Sequence, residues 1–226
     1  RSRGLGDVYK RQTVACALLA ALTARGLTPC AFKSGPDYID PMFHSRIIGA
    51  KSANLDLHFF SENTLRFLLA KNAAGCDVSV IEGAMGFYDG AGLTTWKTSA
   101  YELALVTKTP VVLVVNARGA ALSVLAVIEG FLRFRPESGI RGVILNQCTA
   151  MTYASLSAAI EERFGIRCFG FLPRLDECVL ESRHLGLVTA GEIRDLREKM
   201  QTLAAQAEKT LDIDALLAVS YTHLTL

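Results

Sequence analysis

The chain has 226 residues, of which 50% are hydrophobic and 20% are charged. This balance supplies enough apolar surface for one large core or two small ones, and it excludes intrinsic disorder as the main state. With 24 Lys and Arg residues against 22 Asp and Glu residues, the formal net charge is +2, which is too small to make nucleic acid the chief partner. No apolar run approaches the roughly 18 to 20 residues that a membrane span needs, so no membrane association is expected.

The six cysteines favour a reduced, intracellular protein over a disulfide framework or a zinc site. They stand at positions 16, 30, 76, 148, 168 and 178, so no two have Cys-x-x-Cys spacing. Residues 10–22, two basic residues and then an apolar run, imitate a secretory signal peptide. That run also suits the buried first helix of a fold in which strands and helices alternate, so we predict a helix there and not a signal peptide. With reduced cysteines, the predicted location is the cytoplasm.

Apolar runs of strand length alternate with stretches of helical periodicity along the chain. We predict helices at residues 13–25, 61–74, 99–107, 120–134, 152–164 and about 192–209, and strands at residues 30–33, 78–82, 111–116, 142–146 and 167–172. Strands such as 111–115 are apolar on both faces, as in a parallel sheet that helices cover on each side. The sequence therefore predicts an α/β fold with a mostly parallel open sheet and helices on both faces.

Polar residues end several of the predicted strands. Ligands of open α/β sheets bind beyond the carboxyl ends of the strands. The residues found there are Lys33, Glu82, Asn116 and Asn146. None of the four has an obvious packing role, so they are the first candidates for a ligand site.

The densest polar cluster, residues 33–41, directly follows the first predicted strand. Its two prolines restrict the backbone around Asp37 and Asp40, so these carboxylates can be presented to a metal or another cation at a small entropic cost. Lys33 adds a positive charge beside them. A surface turn would also use Pro, Asp and Gly. The position at the carboxyl end of a strand favours a functional site.

The second candidate, residues 80–90, is a strand that ends in Glu82 and continues into a loop punctuated by glycines. ATPases keep a magnesium-side carboxylate at such a place, and glycines let the backbone approach a ligand closely. Together with Asp37, Asp40 and Asp89, Glu82 offers oxygen ligands for a hard cation such as Mg²⁺. No Gly-x-x-x-x-Gly-Lys-Ser/Thr segment precedes the helix predicted to begin at Thr13.

Five segments together resemble the synthetase domain of the cobyrinate a,c-diamide synthase family. They are 33–41 (KSGPDYIDP), 81–90 (IEGAMGFYDG), 117–119 (ARG), 142–146 (GVILN) and 183–187 (RHLGL). The resemblance covers about residues 13–218 and implies a P-loop NTPase-like fold related to dethiobiotin synthetase. It also implies ATP-dependent amidation of the a and c acetate carboxylates of a corrinoid, cobyrinate, in cobalamin biosynthesis. ATP and Mg²⁺ would take part, an acyl phosphate would be the intermediate, and glutamine would be the nitrogen donor.

The resemblance also implies a catalytic set of Lys33, Asp40 and Glu82. Lys33 would neutralise the transferring phosphate, while Glu82 and one or both of Asp37 and Asp40 would hold Mg²⁺ or orient the reacting carboxylate. For the metal, the implied ligands are Glu82 and Asp37. Such chemistry depends mainly on positioning and on charge neutralisation.

Further positions receive binding roles from the same resemblance. The corrinoid-binding residues would be Asp37, Tyr38, Ile39 and Asp89. Thr13 and Asn146 would bind the nucleotide, since Asn146 resembles the adenine-reading asparagine of these enzymes. His184 is interpreted as a structural histidine, and Trp96 either as a lid residue or as a cover for the edge of the core.

The amino terminus departs from the family, whose members carry Gly-Lys-Thr-Thr before the first helix. Here Arg11 and Gln12 align with the phosphate lysine and the magnesium hydroxyl, and no glycine cradle precedes them. We therefore expect residues 1–12 and 219–226 to be non-native flanks around an incomplete synthetase domain at 13–218. The glutaminase domain that the family carries in cis is expected to be absent, and the chain as it stands is expected to have little ATP-driven activity.

Three alternatives remain at this stage. Other tetrapyrrole a,c-diamide synthases, acting on hydrogenobyrinate or Ni-sirohydrochlorin, share these motifs. A partitioning or switch ATPase of the ParA or MinD kind has a related fold but no use for the acidic segment 33–41. A non-catalytic binding module is the third. The central metal of the substrate, the order of amidation, the ammonia route and the oligomeric state, with a homodimer as one option, stay open.

Overall fold

The computed structural model describes residues 5–37, 39–178 and 190–221, which form two compact units. Of the described residues, the first unit contains those up to residue 108 together with 177–178 and 190–205, and the second contains 109–176 and 206–221. The helices are α1 (Leu5–Ala24), α2 (Ile39–Phe43), α3 (Glu62–Ala73), α4 (Ala100–Thr107), α5 (Ser123–Phe134), α6 (Ala150–Phe164), α7 (Ala190–Thr210) and α8 (Ile213–Tyr221). The strands are β1 (Pro29–Ser34), β2 (Lys51–Leu55), β3 (Val78–Glu82), β4 (Val111–Asn116), β5 (Ile140–Asn146) and β6 (Arg167–Leu172).

The first unit is built on a parallel sheet with strand order β2-β1-β3. Every residue of the central strand β1 is buried, as expected for a strand that helices cover on both faces. Its alternate residues Cys30 and Phe32 join a core with Leu65 of α3 and Leu103 of α4. Helix α1 packs against β1 and β3. This packing of helices against the sheet fixes the carboxyl ends of the three strands at one edge.

The second unit is built on another parallel sheet, with order β4-β5-β6. Helices α6 and α8 pack against β6. Strands β4 and β5 pair in a register that sets Asn116 opposite Asn146 at their carboxyl ends. Both units confirm the predicted α/β class with parallel open sheets.

Two regions differ from the predictions. Strand β2 was not predicted, because Lys51, Ser52 and Asn54 break its apolar pattern. Residues 39–43 form α2, although residues 33–41 were predicted to be a proline-stiffened segment, and residues 44–48, for which nothing was predicted, form a π-helical turn. Pro41 is tolerated because it lies in the first turn, where a backbone N–H has no helical partner.

The first predicted helix begins earlier in the structure, because α1 starts at Leu5 and the predicted start was residue 13. Helix α8, which was not predicted, runs from Ile213 to Tyr221. Within the described ranges, none of the helices combines the length and apolarity needed to cross a membrane.

Candidate functional site

Lys33 bridges two carboxylates at the carboxyl edge of the first sheet. Its Nζ lies 2.7 Å from Oδ2 of Asp40 and 2.9 Å from Oε1 of Glu82. All three side chains are buried, and that of Lys33 is only 1% exposed. The sequence-based expectation that positions 33, 40 and 82 converge is met by this geometry, and we call Lys33, Asp40 and Glu82 the acidic cluster.

The pairing of strands in the parallel sheet brings Lys33 and Glu82 together. Strands β1 and β3 pair in a register that sets Lys33 directly opposite Glu82. Asp40 comes from the first turn of α2, which follows β1 after a short connection. An acid in the first turn of a helix also faces the positive end of the helix dipole.

Gln12 of α1 is hydrogen-bonded to the other carboxylate oxygen of Asp40. Its Nε2 donates a hydrogen bond of 2.7 Å to Asp40 Oδ1, and Gln12 is 5% exposed. Both oxygens of Asp40 are therefore engaged, one by an amide and one by an ammonium group. In this chain Gln12 thus holds the carboxylate of Asp40 from the side opposite Lys33.

His44 is a member of the site that the sequence reasoning missed. It lies in the π-helical turn after α2, and its Nε2 is 3.7 Å from Oε2 of Glu82. Both ring nitrogens of His44 and this oxygen of Glu82 are buried and have no hydrogen-bond partner among the described residues. Buried polar atoms of this kind are uncommon and concentrate at functional sites. The sequence offered only a lone histidine after an apolar residue, which is not a distinctive signal.

The electrostatics of the acidic cluster are unbalanced. One lysine faces two carboxylates, so a net negative charge remains when both acids are ionised. Burial raises the pKa of Glu82 and that of Asp40, although Lys33 opposes both shifts. Burial acts to lower the pKa of Lys33, but Glu82 and Asp40 outweigh it and raise that pKa. The cluster therefore favours either a shared proton or an additional cation.

His44 does not supply that positive charge. Burial, and then the nearby Lys33, lower the pKa of His44 to about 4. The imidazole is therefore neutral at pH 7 and can act there only as a hydrogen-bonding group.

Strand β2 clamps the segment that carries Asp37. Asn54 Nδ2 donates to the backbone oxygens of Gly35 at 2.8 Å and Asp37 at 2.5 Å. Ser52 Oγ donates to the backbone oxygen of Pro41 at 2.5 Å. These contacts hold both ends of the acidic segment, and they were missed because β2 was missed.

The glycine-punctuated loop after β3 is braced from within. Asp89 Oδ2 accepts a hydrogen bond of 3.0 Å from the backbone N–H of Gly86, and a Cβ atom on Gly86 would collide with that carboxylate. Trp96 packs edge-on against Tyr101 with 5.7 Å between ring centroids, and Lys97 Nζ lies 4.4 Å from the centre of the Trp96 ring. Trp96 thus contributes to an aromatic cluster, as in the core-edge interpretation. Asp89 shapes the loop, and its contact with a corrinoid stays a prediction.

The remaining predicted positions divide between the two units. Thr13 is half-buried within α1, and Ile39 begins α2. Asn146 ends β5 in the second unit, where it is buried and its Oδ1 accepts from the backbone N–H of Gln147 at 2.9 Å. Tyr38 and His184 lie outside the described residues. The nucleotide roles of Thr13 and Asn146 stay predictions.

One oxygen of the acidic cluster is of a kind that could contact a Mg²⁺ ion bound to a nucleotide. Across residues 5–37, 39–178 and 190–221, no group of three or more His, Cys, Asp or Glu side chains is arranged to hold a metal. Mg²⁺ in phosphoryl-transfer sites is commonly held by one or two carboxylates, with phosphates and water completing the shell. The buried Glu82 Oε2, which has no described hydrogen-bond partner, is an oxygen of the required kind.

The fold and the site define an α/β protein of the P-loop NTPase-like class. Chloroplast FtsY from Physcomitrella patens has a similar structure, with a TM-score of 0.54 at 12% identity over 84% of this chain and 61% of that chain, which shows the fold alone. The AAA domain family profile matches residues 45–182, more than half of the sequence. The chain belongs to the AAA domain family.

Its sequence relatives include cobyrinate a,c-diamide synthases. The protein of that name from Listeria monocytogenes is 40% identical over 214 residues, which is 94% of this chain and 47% of the relative. The one from Clostridium acetobutylicum is 41% identical over 209 residues, which is 92% of this chain and 47% of the relative. The chain thus spans about half the length of the curated relatives it matches, and it is homologous to their ATP-binding domain.

Proposed function

We propose that this chain is the ATP-dependent synthetase part of a cobyrinate a,c-diamide synthase. The observation that carries the proposal is Lys33, buried and bridging Asp40 and Glu82 at 2.7 and 2.9 Å. A cation fixed between two acids at the ligand edge of a P-loop-like sheet suits transfer of a phosphoryl group to a carboxylate. The sequence relatives supply the substrate class, the a and c acetate carboxylates of cobyrinate.

The proposed reaction has two steps. An oxygen of the substrate carboxylate attacks the terminal phosphorus of ATP, the bond to the bridging oxygen breaks, and ADP leaves. Ammonia then attacks the acyl carbon, the bond from that carbon to the phosphate oxygen breaks, and phosphate leaves with the proton that nitrogen loses, so that the primary amide remains. Ammonia would come from glutamine, through the part of the relatives that this chain does not span.

The chain's own residues would serve positioning and charge. Lys33 would move from its carboxylate partners to the phosphoryl oxygens, so its positive charge meets the negative charge that develops there. Glu82 and Asp37 would hold Mg²⁺, which neutralises phosphate charge when bound. Asp40 would orient the reacting carboxylate. Around these, Asp37, Tyr38, Ile39 and Asp89 would contact the corrinoid, while Thr13 and Asn146 would contact ATP.

The amino-terminal helix explains why this chain would have little activity as it stands. Helix α1 runs continuously from Leu5 through Gln12 and Thr13. In an α-helix, each backbone N–H after the first turn bonds to a carbonyl four residues earlier. The N–H groups that a phosphate-binding loop would offer to ATP are therefore used within the helix.

The test replaces residues 1–12 with a glycine-rich loop that ends in Gly-Lys-Thr. The restored protein is incubated with ATP, Mg²⁺, ammonium and cobyrinate, and the products are separated by mass. We expect the restored protein to convert cobyrinate to its amides. The K33M variant should lose this amidation activity, and the K97M variant should keep it. Parallel incubations with hydrogenobyrinate and Ni-sirohydrochlorin distinguish the related synthases. ATP hydrolysis without amidation of any of the three would contradict the proposal and favour a switch ATPase.

A further inference from the structure

Cys30 and Cys76 form a pair of thiols that the proposed function does not use. Cys30 is the second residue of β1, and Cys76 lies in the turn between α3 and β3. Cys30 Sγ donates to the backbone oxygen of Asn72 at 3.5 Å, and Cys76 Sγ donates to the same oxygen at 3.9 Å. Cys76 also packs against the core cluster that contains Cys30.

The fold explains why the two sulfurs share one acceptor. Asn72 lies in the last turn of α3, where backbone carbonyls have no partner within the helix. The backbone N–H of Cys76 bonds to the oxygen of Ala73 at 2.9 Å and turns the chain back toward the sheet. The two thiols thus satisfy an exposed helix end, and the pair results from topology, since 46 positions separate the two residues in the sequence.

The two thiols differ in access to solvent. Cys30 is fully buried at 0% exposure, whereas Cys76 is half-buried. Burial, and then the neighbouring Cys76, raise the pKa of Cys30 to about 12, so Cys30 has to pass its proton to the departing hydroxyl group as it reacts. Because an oxidant in solution reaches Cys76 before Cys30, Cys76 is the candidate attacking thiol and Cys30 the candidate resolving thiol.

We infer that Cys30 and Cys76 are a redox-modification site that takes a small oxidant of the peroxide class and closes to an intramolecular disulfide. The Cys76 thiolate attacks one oxygen of hydrogen peroxide, the O–O bond breaks, and hydroxide leaves and is protonated to water. This step leaves a sulfenic acid on Cys76. The Cys30 sulfur then attacks the Cys76 sulfur, the S–O bond breaks, and a second water carries away the thiol proton. Two thiols are oxidised and one peroxide is reduced.

The disulfide would tie the start of β1 to the turn before β3. The closed loop contains the acidic segment, β2 and α3, so the link constrains the unfolded chain and stabilises the first unit. It leaves Lys33 and Glu82 in place, because both stand at the opposite ends of their strands. The inference is independent of the proposed function and needs no nucleotide or corrinoid.

The experiment uses the chain as it exists, folded and reduced. The protein is treated with hydrogen peroxide in small molar excess, unreacted thiols are alkylated, and peptides are mapped by mass spectrometry without reduction. The expected result is a peptide pair linked through Cys30 and Cys76, two of the six thiols lost, and a thermal midpoint that rises and returns with dithiothreitol. C148S is the matched control and should still form the link.

Serine variants of each cysteine, and a measurement in urea, test the inference further. C76S should form no link, and C30S should leave Cys76 to oxidise to the sulfinic acid. C30A replaces C30S if the serine variant does not fold. A link of equal yield to any other cysteine, overoxidation of Cys76 in the wild-type chain without a link, or a link that forms only in urea would overturn the inference.

Discussion

Replacing Lys33 by methionine tests the acidic cluster most severely. The substitution keeps an unbranched chain in the buried site but removes the positive charge that lies 2.7 Å from Asp40 and 2.9 Å from Glu82. Removing one partner of a buried ion pair costs about 3 to 5 kcal/mol, because the remaining charge is left buried without compensation. That loss is a large share of the roughly 5 to 15 kcal/mol that stabilises a typical domain.

The pH dependence of K33M follows from the same groups. Burial already raises the pKa values of Asp40 and Glu82, and losing Lys33 removes the group that opposes those shifts. The folded variant therefore binds protons more readily than the unfolded chain, so its stability rises as pH falls toward the raised pKa values. We expect K33M to recover part of its loss between pH 7 and pH 5.

Urea unfolding followed through the single tryptophan, Trp96, is the assay, because Trp96 lies in the same unit as Lys33. K97M is the matched control: Lys97 also pairs with a carboxylate, that of Glu102 at 3.0 Å, but its side chain is 65% exposed. An exposed pair contributes less than about 1 kcal/mol. If K33M and K97M lose equal stability at pH 7, or if K33M shows no gain at lower pH, the electrostatic account of the cluster is refuted.

Three further substitutions probe the surroundings of the cluster. N54L removes two hydrogen bonds to the acidic segment at nearly constant volume and should cost about 1 to 2 kcal/mol in urea unfolding. G90A places a Cβ within collision distance of the backbone oxygen of Lys97 and should cost about 1 to 3 kcal/mol by the same measurement. His44 has a pKa of about 4 when folded and an ordinary value of 6.5, so the folded state resists its protonation and loses stability as pH falls through that interval. H44F should therefore lose less stability than the wild type between pH 6.5 and pH 4.

The controls for these variants come from the same chain. G92A is matched to G90A, because a Cβ on Gly92 meets only Thr95 at 3.4 Å, an ordinary contact. Equal losses for the two alanine variants would refute the account of the loop. If N54L unfolds at the same urea concentration as the wild type, the hydrogen bonds of Asn54 do not stabilise the acidic segment. If H44F loses as much stability as the wild type between pH 6.5 and pH 4, the neutral His44 imidazole is not the cause of that loss.

Sequence reasoning reached the acidic cluster because its signal is topological. Apolar runs marked β1 and β3 as strands of a parallel sheet, whose carboxyl ends lie at one edge, so Lys33 and Glu82 were candidates; the family resemblance grouped them with Asp40, and the structure pairs the two strands directly. Asp40 was reachable because it follows β1 within the same segment. The helix that carries Asp40 was not foreseen, since Pro41 looks like a helix breaker and is harmless only in the first turn.

Other parts of the site carry no periodic signal. Strand β2 alternates polar and apolar residues too briefly to be recognised, so the Asn54 clamp was out of reach. The contact between His44 and Glu82, and the thiol pair of Cys30 and Cys76, depend on side chains that distant segments bring together. Contacts of this kind depend on tertiary packing, and the hydropathy pattern and residue spacing of the sequence do not predict them.

The fate of the substrate carboxylate oxygen is the most direct measurement of the central claim, that this edge of the sheet transfers phosphate from ATP to an organic acid. Cobyrinate labelled with oxygen-18 in its acetate carboxylates is incubated with the loop-restored protein, ATP, Mg²⁺ and ammonium. An acyl-phosphate route moves one labelled oxygen into inorganic phosphate for each amide formed. Amide formation with unlabelled phosphate would contradict the account.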